Sequence, residues 1–148
     1  MFRILLQRWR KKTHSNPISR QSGAIPYVRI EGQLVFLLVT ARKRSRWVFP
    51  KGGIEPGMTP WDSAAKEAYE EAGVLGTVET SRAGSYRGTD KGLPSAVDLY
   101  PLRVETQLEQ WQEKDQRVRH WAVAEEAKRL VNNREVAGII EMLEQRSH

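Results

Sequence analysis

Apolar positions along the chain fall into runs of two different periods, and those periods lay out most of the elements. Ser22 to Ile30 (SGAIPYVRI) and Gln33 to Thr40 (QLVFLLVT) are apolar and partly β-branched; Glu31-Gly32 between them has turn character, which predicts a hairpin. The second run is almost continuously apolar, as in a strand covered on both faces. Trp47 to Phe49 forms a short third run, ended by Pro50. The period then changes. Trp61, Ala65, Ala68 and Ala72 fall on one stripe at about 100° per residue, the mark of an amphipathic helix. Thr59 is placed as its N-cap, Pro60 at the first helical position and Asp62 three after the cap, with Gly73 as a left-handed stop.

Farther along, Thr77 to Arg87 and Ala96 to Glu105 read as strands. SYRGTDKGLPS between them reads as a Gly/Pro-rich loop, carrying Arg87 and Lys91, able to close over a substrate. The chain turns polar from Val104 to Asp115. Arg117 to Val123 reads as a last strand with Trp121 inward, and 124–131 and 134–145 read as helices, with Leu130, Ile139, Ile140 and Leu143 supplying core contacts. Strands on either side of one helix, followed by terminal helices, predict an α/β sandwich.

Composition changes this picture in three places. At 148 residues, 39% hydrophobic and 28% charged, the chain has the make-up of one ordinary soluble domain. It has no cysteine, which excludes disulfides, thiolate catalysis and zinc–thiolate sites and fits a reducing compartment such as the cytoplasm. The net charge of +6 comes from the start of the chain, where Arg3, Arg8, Arg10, Lys11, Lys12 and Arg20 stand without an acid; the remainder balances 18 bases against 18 acids. The first 19 residues therefore read as a basic extension. Its start, MFRILLQRWRKK, is too short to span a bilayer and lacks a secretory cleavage pattern. Its functional readings are a membrane-surface or RNA-touching arm or an organelle presequence; the plain one is a frayed or locally packed extension.

The chemistry concentrates on the amphipathic helix. Glu67, Glu70 and Glu71 stand three and four apart, beside the apolar stripe. Carboxylates this close repel, and a divalent cation relieves the repulsion; oxygen-only ligands point to Mg²⁺ or Mn²⁺ rather than zinc. The plain alternative is a solvated acidic face. Glu67 and Glu71 lie about 40° apart around the axis, so they point together as ligands, and Glu70 is turned aside, where it can act as a base. Just upstream, Arg42, Lys43, Arg44 and Arg46 crowd one loop. Guanidinium forks pair bidentately with phosphate oxygens, so this loop is a phosphate-binding candidate; the alternative is a solvated hairpin tip. His14, His120 and His148 show no ligand spacing, and nothing in the spacing selects among Asp98, Glu105 and Glu113 as a distant further ligand.

From Lys51 to Val74 the sequence KGGIEPGMTPWDSAAKEAYEEAGV resembles the box of the Nudix hydrolases, G-x5-E-x7-R-E-U-x-E-E-x-G-U, where U is aliphatic. Gly52, Glu67, Ala68, Glu70, Glu71, Gly73 and Val74 stand in register. Two positions depart: Met58 replaces a glutamate and Lys66 an arginine, the pair that in relatives ties the loop to the helix.

The resemblance implies a Nudix-type α/β/α sandwich with a mixed sheet over residues 20–146. It also implies hydrolysis of a diphosphate linkage by water with Mg²⁺ or Mn²⁺, and adds the Lys51 carbonyl as a metal ligand, with Gly52 and Gly53 letting the loop backbone approach. RWVFPKGGIEPG and EEAGVLG further resemble the branch that hydrolyses diphosphoinositol polyphosphates and diadenosine polyphosphates. Arg20, Arg42, Arg44, Arg46 and Arg119 suit such a highly phosphorylated small molecule. The alternatives are an RNA 5′-end pyrophosphohydrolase, served by the basic extension, another nucleoside diphosphate-X pyrophosphohydrolase, and a catalytically silent ligand-binding module. No transmembrane segment is read, and the oligomeric state is left open.

Overall fold

The computed structural model describes residues 18–42 and 46–147. The basic extension up to Pro17 and the loop residues Lys43, Arg44 and Ser45, on which several of these expectations fall, lie outside the described residues.

Strand β1 (Ser19–Ile30) organises the sheet. Its C-terminal half pairs antiparallel with β2 (Gln33–Thr40) through a turn in which Glu31 and Gly32 have φ of 52° and 80°. Two successive left-handed residues make the turn that matches the twist of a hairpin. The N-terminal half of β1 pairs antiparallel with β4 (Lys51–Gly53), which follows β3 (Trp47–Val48). Along its other edge β1 runs parallel to the long strand β7 (Leu93–Gln107). β5 (Val74–Val78) and β6 (Gly84–Asp90) pair antiparallel with β7, and β8 (Arg119–Val123) pairs with β2. The sheet is therefore mixed, as expected.

Helix α1 (Pro60–Ala72) covers one face; α2 (Ala124–Val131) and α3 (Arg134–Arg146) cover the other. β2 shows why two layers form. Leu34, Phe36 and Leu38 join the core under α2 and α3, while Leu37 and Val39 join Ala64, Ala68 and Ala72 under α1. A continuously apolar strand is thus buried on both sides.

The region from Thr77 to Ser95 differs from its sequence reading. The chain leaves β5 at Val78, bends, and re-enters the sheet at Gly84; the segment read as a substrate-closing loop is itself a β-hairpin. Lys91 and Gly92, with φ of 53° and 80°, form a two-residue left-handed turn between Asp90 and Leu93. Pro94 is tolerated because it stands at the beginning of β7. Lys-Gly is a weaker hairpin signal than Asn-Gly, and the glycines and proline together look like a loop.

Candidate metal and phosphate site

α1 carries the site because both of its ends are fixed. Thr59 Oγ1 accepts from the Asp62 amide at 3.1 Å, and Gly73 closes the helix at φ 67°, ψ 38°. The last carbonyls of a helix have no partner within it. Here the segment after β7 supplies them. The Glu113 amide donates to Glu70 O, Trp111 Nε1 to Glu71 O, Arg119 Nη1 to Ala72 O and the Leu108 amide to Gly73 O, all within 3.1 Å. The polar stretch after Val104 is therefore the C-terminal seat of α1.

Above this seat Glu71 is buried and Glu67 half-buried, their carboxyl groups hydrogen bonded to each other. Burial is the main cause that pushes Glu71 up to about 9, with the Glu67 contact adding to it. Glu67 is also raised, first by burial and then by Glu70, although its hydrogen bond with Glu71 works the other way. The two carboxyl groups thus resist ionising together. Gly52 faces it: a Cβ built there would collide with the Glu67 carboxyl group.

Glu70 turns away from this pair toward Lys66, whose Nζ lies 3.0 Å from Glu70 Oε1. Among the described residues no three acidic or histidine side chains converge into a ready cage. Two carboxylates and a carbonyl suit magnesium nonetheless, because that ion keeps several waters and takes further oxygens from phosphate. The paired acids Glu67 and Glu71 and the side-chain-free cradle at Gly52 fit a small divalent cation.

On its other side Glu71 borders a cleft of about 640 Å³. Arg42, Arg46, Lys51, Arg87 and Arg117 line it, with Trp47, Phe49 and Tyr86 among its aromatic surfaces and Leu130, Val131 and Val136 at the α2–α3 end. Lys51 Nζ donates to Gln21 Oε1 and Thr89 O at 3.0 and 3.1 Å. Burial lowers its pKa, against the opposing pull of Glu71 and Asp90. Burial also pushes the Tyr86 phenol up to about 12, so it stays a neutral hydrogen-bonding group. Arg117 is the link between cleft and acids: Nε lies 2.9 Å from Glu113 Oε1, Nη2 lies 3.5 Å from Glu71 Oε1, and Nη1 donates to Thr40 O at 2.8 Å.

Of the residues selected from sequence, Glu71, Lys51, Arg42 and Arg46 border this cleft, and Glu67 and Gly52 adjoin it through Glu71. Gly53 is exposed at the end of β4. Arg44 lies outside the described residues. The structure does not bring Arg20 or Arg119 to the cleft. Arg20 pairs with Asp98 at 2.7 Å, next to Arg82. Arg119 seats α1, donating to Ala72 O and Leu108 O with its guanidinium 3.9 Å over the Trp111 ring. A cation there also favours the negative end of the helix dipole. Sequence reasoning placed Arg87 only on the supposed substrate-closing loop and did not select Arg117, which lies just ahead of β8, two residues before Arg119.

A family model described as the NUDIX domain matches residues 20–143. The chain belongs to the Nudix hydrolases. Members of this family act on phosphoanhydride bonds. Nudix hydrolase 13, mitochondrial, of Arabidopsis thaliana is 31% identical over 139 residues, 79% of this chain and 69% of that protein. Diphosphoinositol polyphosphate phosphohydrolase 2 of Rattus norvegicus is 36% identical over 95 residues, 63% of this chain but 51% of that protein. This Nudix chain thus spans about two thirds of the first relative and half of the second. The crystal structure of C. elegans Ap4A hydrolase shares its fold, with a TM-score of 0.68 and 23% identity over 84% of this chain and 94% of that one. No helix among the described residues is long and apolar enough to cross a membrane.

Proposed function

We propose that this Nudix hydrolase uses Mg²⁺ or Mn²⁺ to cleave a phosphoanhydride bond in a highly phosphorylated small molecule, a dinucleoside polyphosphate or a diphosphoinositol polyphosphate. One observation carries the reading: Arg42, Arg46, Lys51, Arg87 and Arg117 border the same cleft as the buried Glu71. Five cations around one buried acid suit a ligand with several phosphates.

In this reading Glu67, Glu71 and the Lys51 carbonyl hold the divalent cation. When bound, it neutralises phosphate charge and acidifies a water. The chain's own residues do the rest. The Glu67–Glu71 pair would supply the carboxylate oxygens of the ligand set. Arg117, fixed by Thr40 and Glu113, presents one edge of its fork to the phosphate nearest Glu71. Arg42, Arg46 and Arg87 take the outer phosphates, with Arg44 assigned to the same loop. Gly52 keeps the backbone close, Gly53 continues it to the surface, and Glu70 removes the proton of the attacking water. The geometry gives Arg20 and Arg119 no part in this cleft.

Trp47 on the cleft wall favours the dinucleoside polyphosphate of the two substrates, because a flat base stacks on an indole and a polyol does not. A reducing compartment suits a chain without cysteine, and we assign it to the cytoplasm; a fluorescent fusion of the full chain tests that assignment against the mitochondrion named for the plant relative. The function is tested by a parallel screen of diadenosine polyphosphates, inositol pyrophosphates, capped and triphosphorylated RNA and ADP-ribose with Mg²⁺. Preferred turnover of the first or second class supports the reading, and preferred turnover of RNA replaces it. Tight binding without turnover makes the chain a silent binding module.

A further inference from the structure

The box has lost both members of the pair that ties loop to helix in relatives, Met58 and Lys66 standing where glutamate and arginine are expected. The tie is nevertheless present, built from another residue. Lys66 Nζ lies 2.5 Å from Glu55 Oε1, and the same ammonium reaches Glu70 Oε1 at 3.0 Å. The Glu55 amide donates to Ser63 Oγ at 3.2 Å, and Ser63 is buried in the second turn of α1. The Glu55 carbonyl accepts from the Met58 amide at 3.0 Å, closing a turn whose third residue is Gly57 at φ 82°. Glu55 is thus fixed at side chain, amide and carbonyl, between Gly52 and the first turns of the helix.

We propose that Glu55, to which the Nudix box assigns no identity, is a positioning residue that clamps the Gly52 loop to α1 through Lys66 and thereby aims Glu70. The inference rests on the reading of Glu70 as base. Lys66 is the shared member. Its ammonium reaches both carboxylates, Glu55 at 2.5 Å and Glu70 at 3.0 Å. Glu55 and Lys66 are half exposed at the surface, and an exposed ion pair contributes little to global stability. Its effect is therefore local: it fixes where the Glu70 carboxylate stands relative to Glu67 and Glu71, and it keeps Gly52 against Glu67. The observed contact explains how a box lacking its usual pair keeps the loop in place.

The test uses the full chain with Glu55→Gln, Lys66→Gln, the double variant and the conservative Lys66→Arg. With Mg²⁺ and diadenosine tetraphosphate, each Gln variant lowers kcat by about tenfold with KM within about twofold, since a misplaced group costs rate more than binding. The double variant is no slower than either single, and Lys66→Arg retains rate to within about threefold. Independently of any turnover, amide hydrogen exchange from Glu55 to Met58 speeds up by about tenfold in Glu55→Gln while the sheet is unchanged. Additive losses in the double variant, or unchanged exchange in the loop, overturn the clamp. A wild-type chain that turns over no polyphosphate overturns the proposed function instead, and the exchange measurement still decides whether Glu55 holds the loop.

Discussion

Arg117 Nη2 lies 3.5 Å from Glu71 Oε1, and neither side chain is more than 10% exposed. The same guanidinium holds Glu113 at 2.9 Å, so one fixed positive charge serves two buried acids. Replacing it by methionine takes the guanidinium from Glu71 and leaves Glu113 with Arg42 alone, at 3.3 Å, at a cost of about 1–3 kcal/mol in urea unfolding. Lysine keeps the charge without the fork and should fall between. A loss below about 1 kcal/mol for Arg117→Met would mean that the acids find another partner.

Glu70 is half-buried beside the Glu67–Glu71 pair, its carboxylate 3.0 Å from Lys66 Nζ. Glu70→Gln should lower kcat by roughly 10²–10⁴, the usual worth of a general base. Its melting temperature and its Mn²⁺ binding, followed by electron paramagnetic resonance, should match the parent chain. Near-normal turnover would assign the base elsewhere.

The absent side chain at Gly52 gives a sharp contrast with its neighbour. A Cβ at Gly52 would strike the Glu67 carboxyl group, whereas one at Gly53 meets nothing within 4 Å. Since the obstacle is the end of a flexible side chain, Gly52→Ala should fold but displace Glu67. Divalent-ion affinity by calorimetry should weaken by roughly 10–100-fold, while Gly53→Ala stays within about twofold.

Opposite pKa shifts on two acids predict opposite pH limbs. Glu71 is raised in the folded state, so its contribution to stability is complete below the unfolded carboxylate value and is lost as pH rises through about 9. With a chelator present, the melting temperature should fall from pH 5 to 9, and Glu71→Gln should flatten that fall. Because a cation competes with the same proton, Mg²⁺ should bind more tightly as pH rises, by at most about tenfold per unit. At Asp98, burial alone would raise the pKa, but hydrogen bonds from Ser85 and Arg20 and the nearby Arg82 charge overcome it and lower it. Its contribution is present above the unfolded value and lost as pH falls through the folded one. Asp98→Asn should remove that acid limb, read from melts between pH 2 and 5.

The helix and its glutamates were legible because capping, glycine placement and 3.6-residue spacing are local signals: Thr59, Pro60 and Gly73 stand where the sequence puts them. The two-sided burial of β2 was legible from its unbroken apolar run. What the sequence concealed depends on contacts across long separations. Arg119 and Arg117 differ by two positions, yet one seats a helix and the other joins the acids to the cleft. No spacing rule separates them, since both belong to one basic stretch whose partners lie 47 and 46 residues away. Glu113 was one of three equal candidates until its amide was found on Glu70 O and its carboxylate on Arg117. The hairpin at Lys91-Gly92 was missed because glycine and proline report a break in periodicity without saying whether pairing resumes.

The central claim is that Glu67 and Glu71 together hold the cation with which this chain opens a phosphoanhydride bond. Its most direct test is Mg²⁺-dependent release of nucleotides from diadenosine tetraphosphate by the parent chain and by the Glu67→Gln/Glu71→Gln double variant, each confirmed folded by circular dichroism. The account predicts steady release by the parent, abolished by chelator, and a loss of at least about 10³-fold in the double variant. Release that survives chelation, or that persists in the folded double variant, would contradict it.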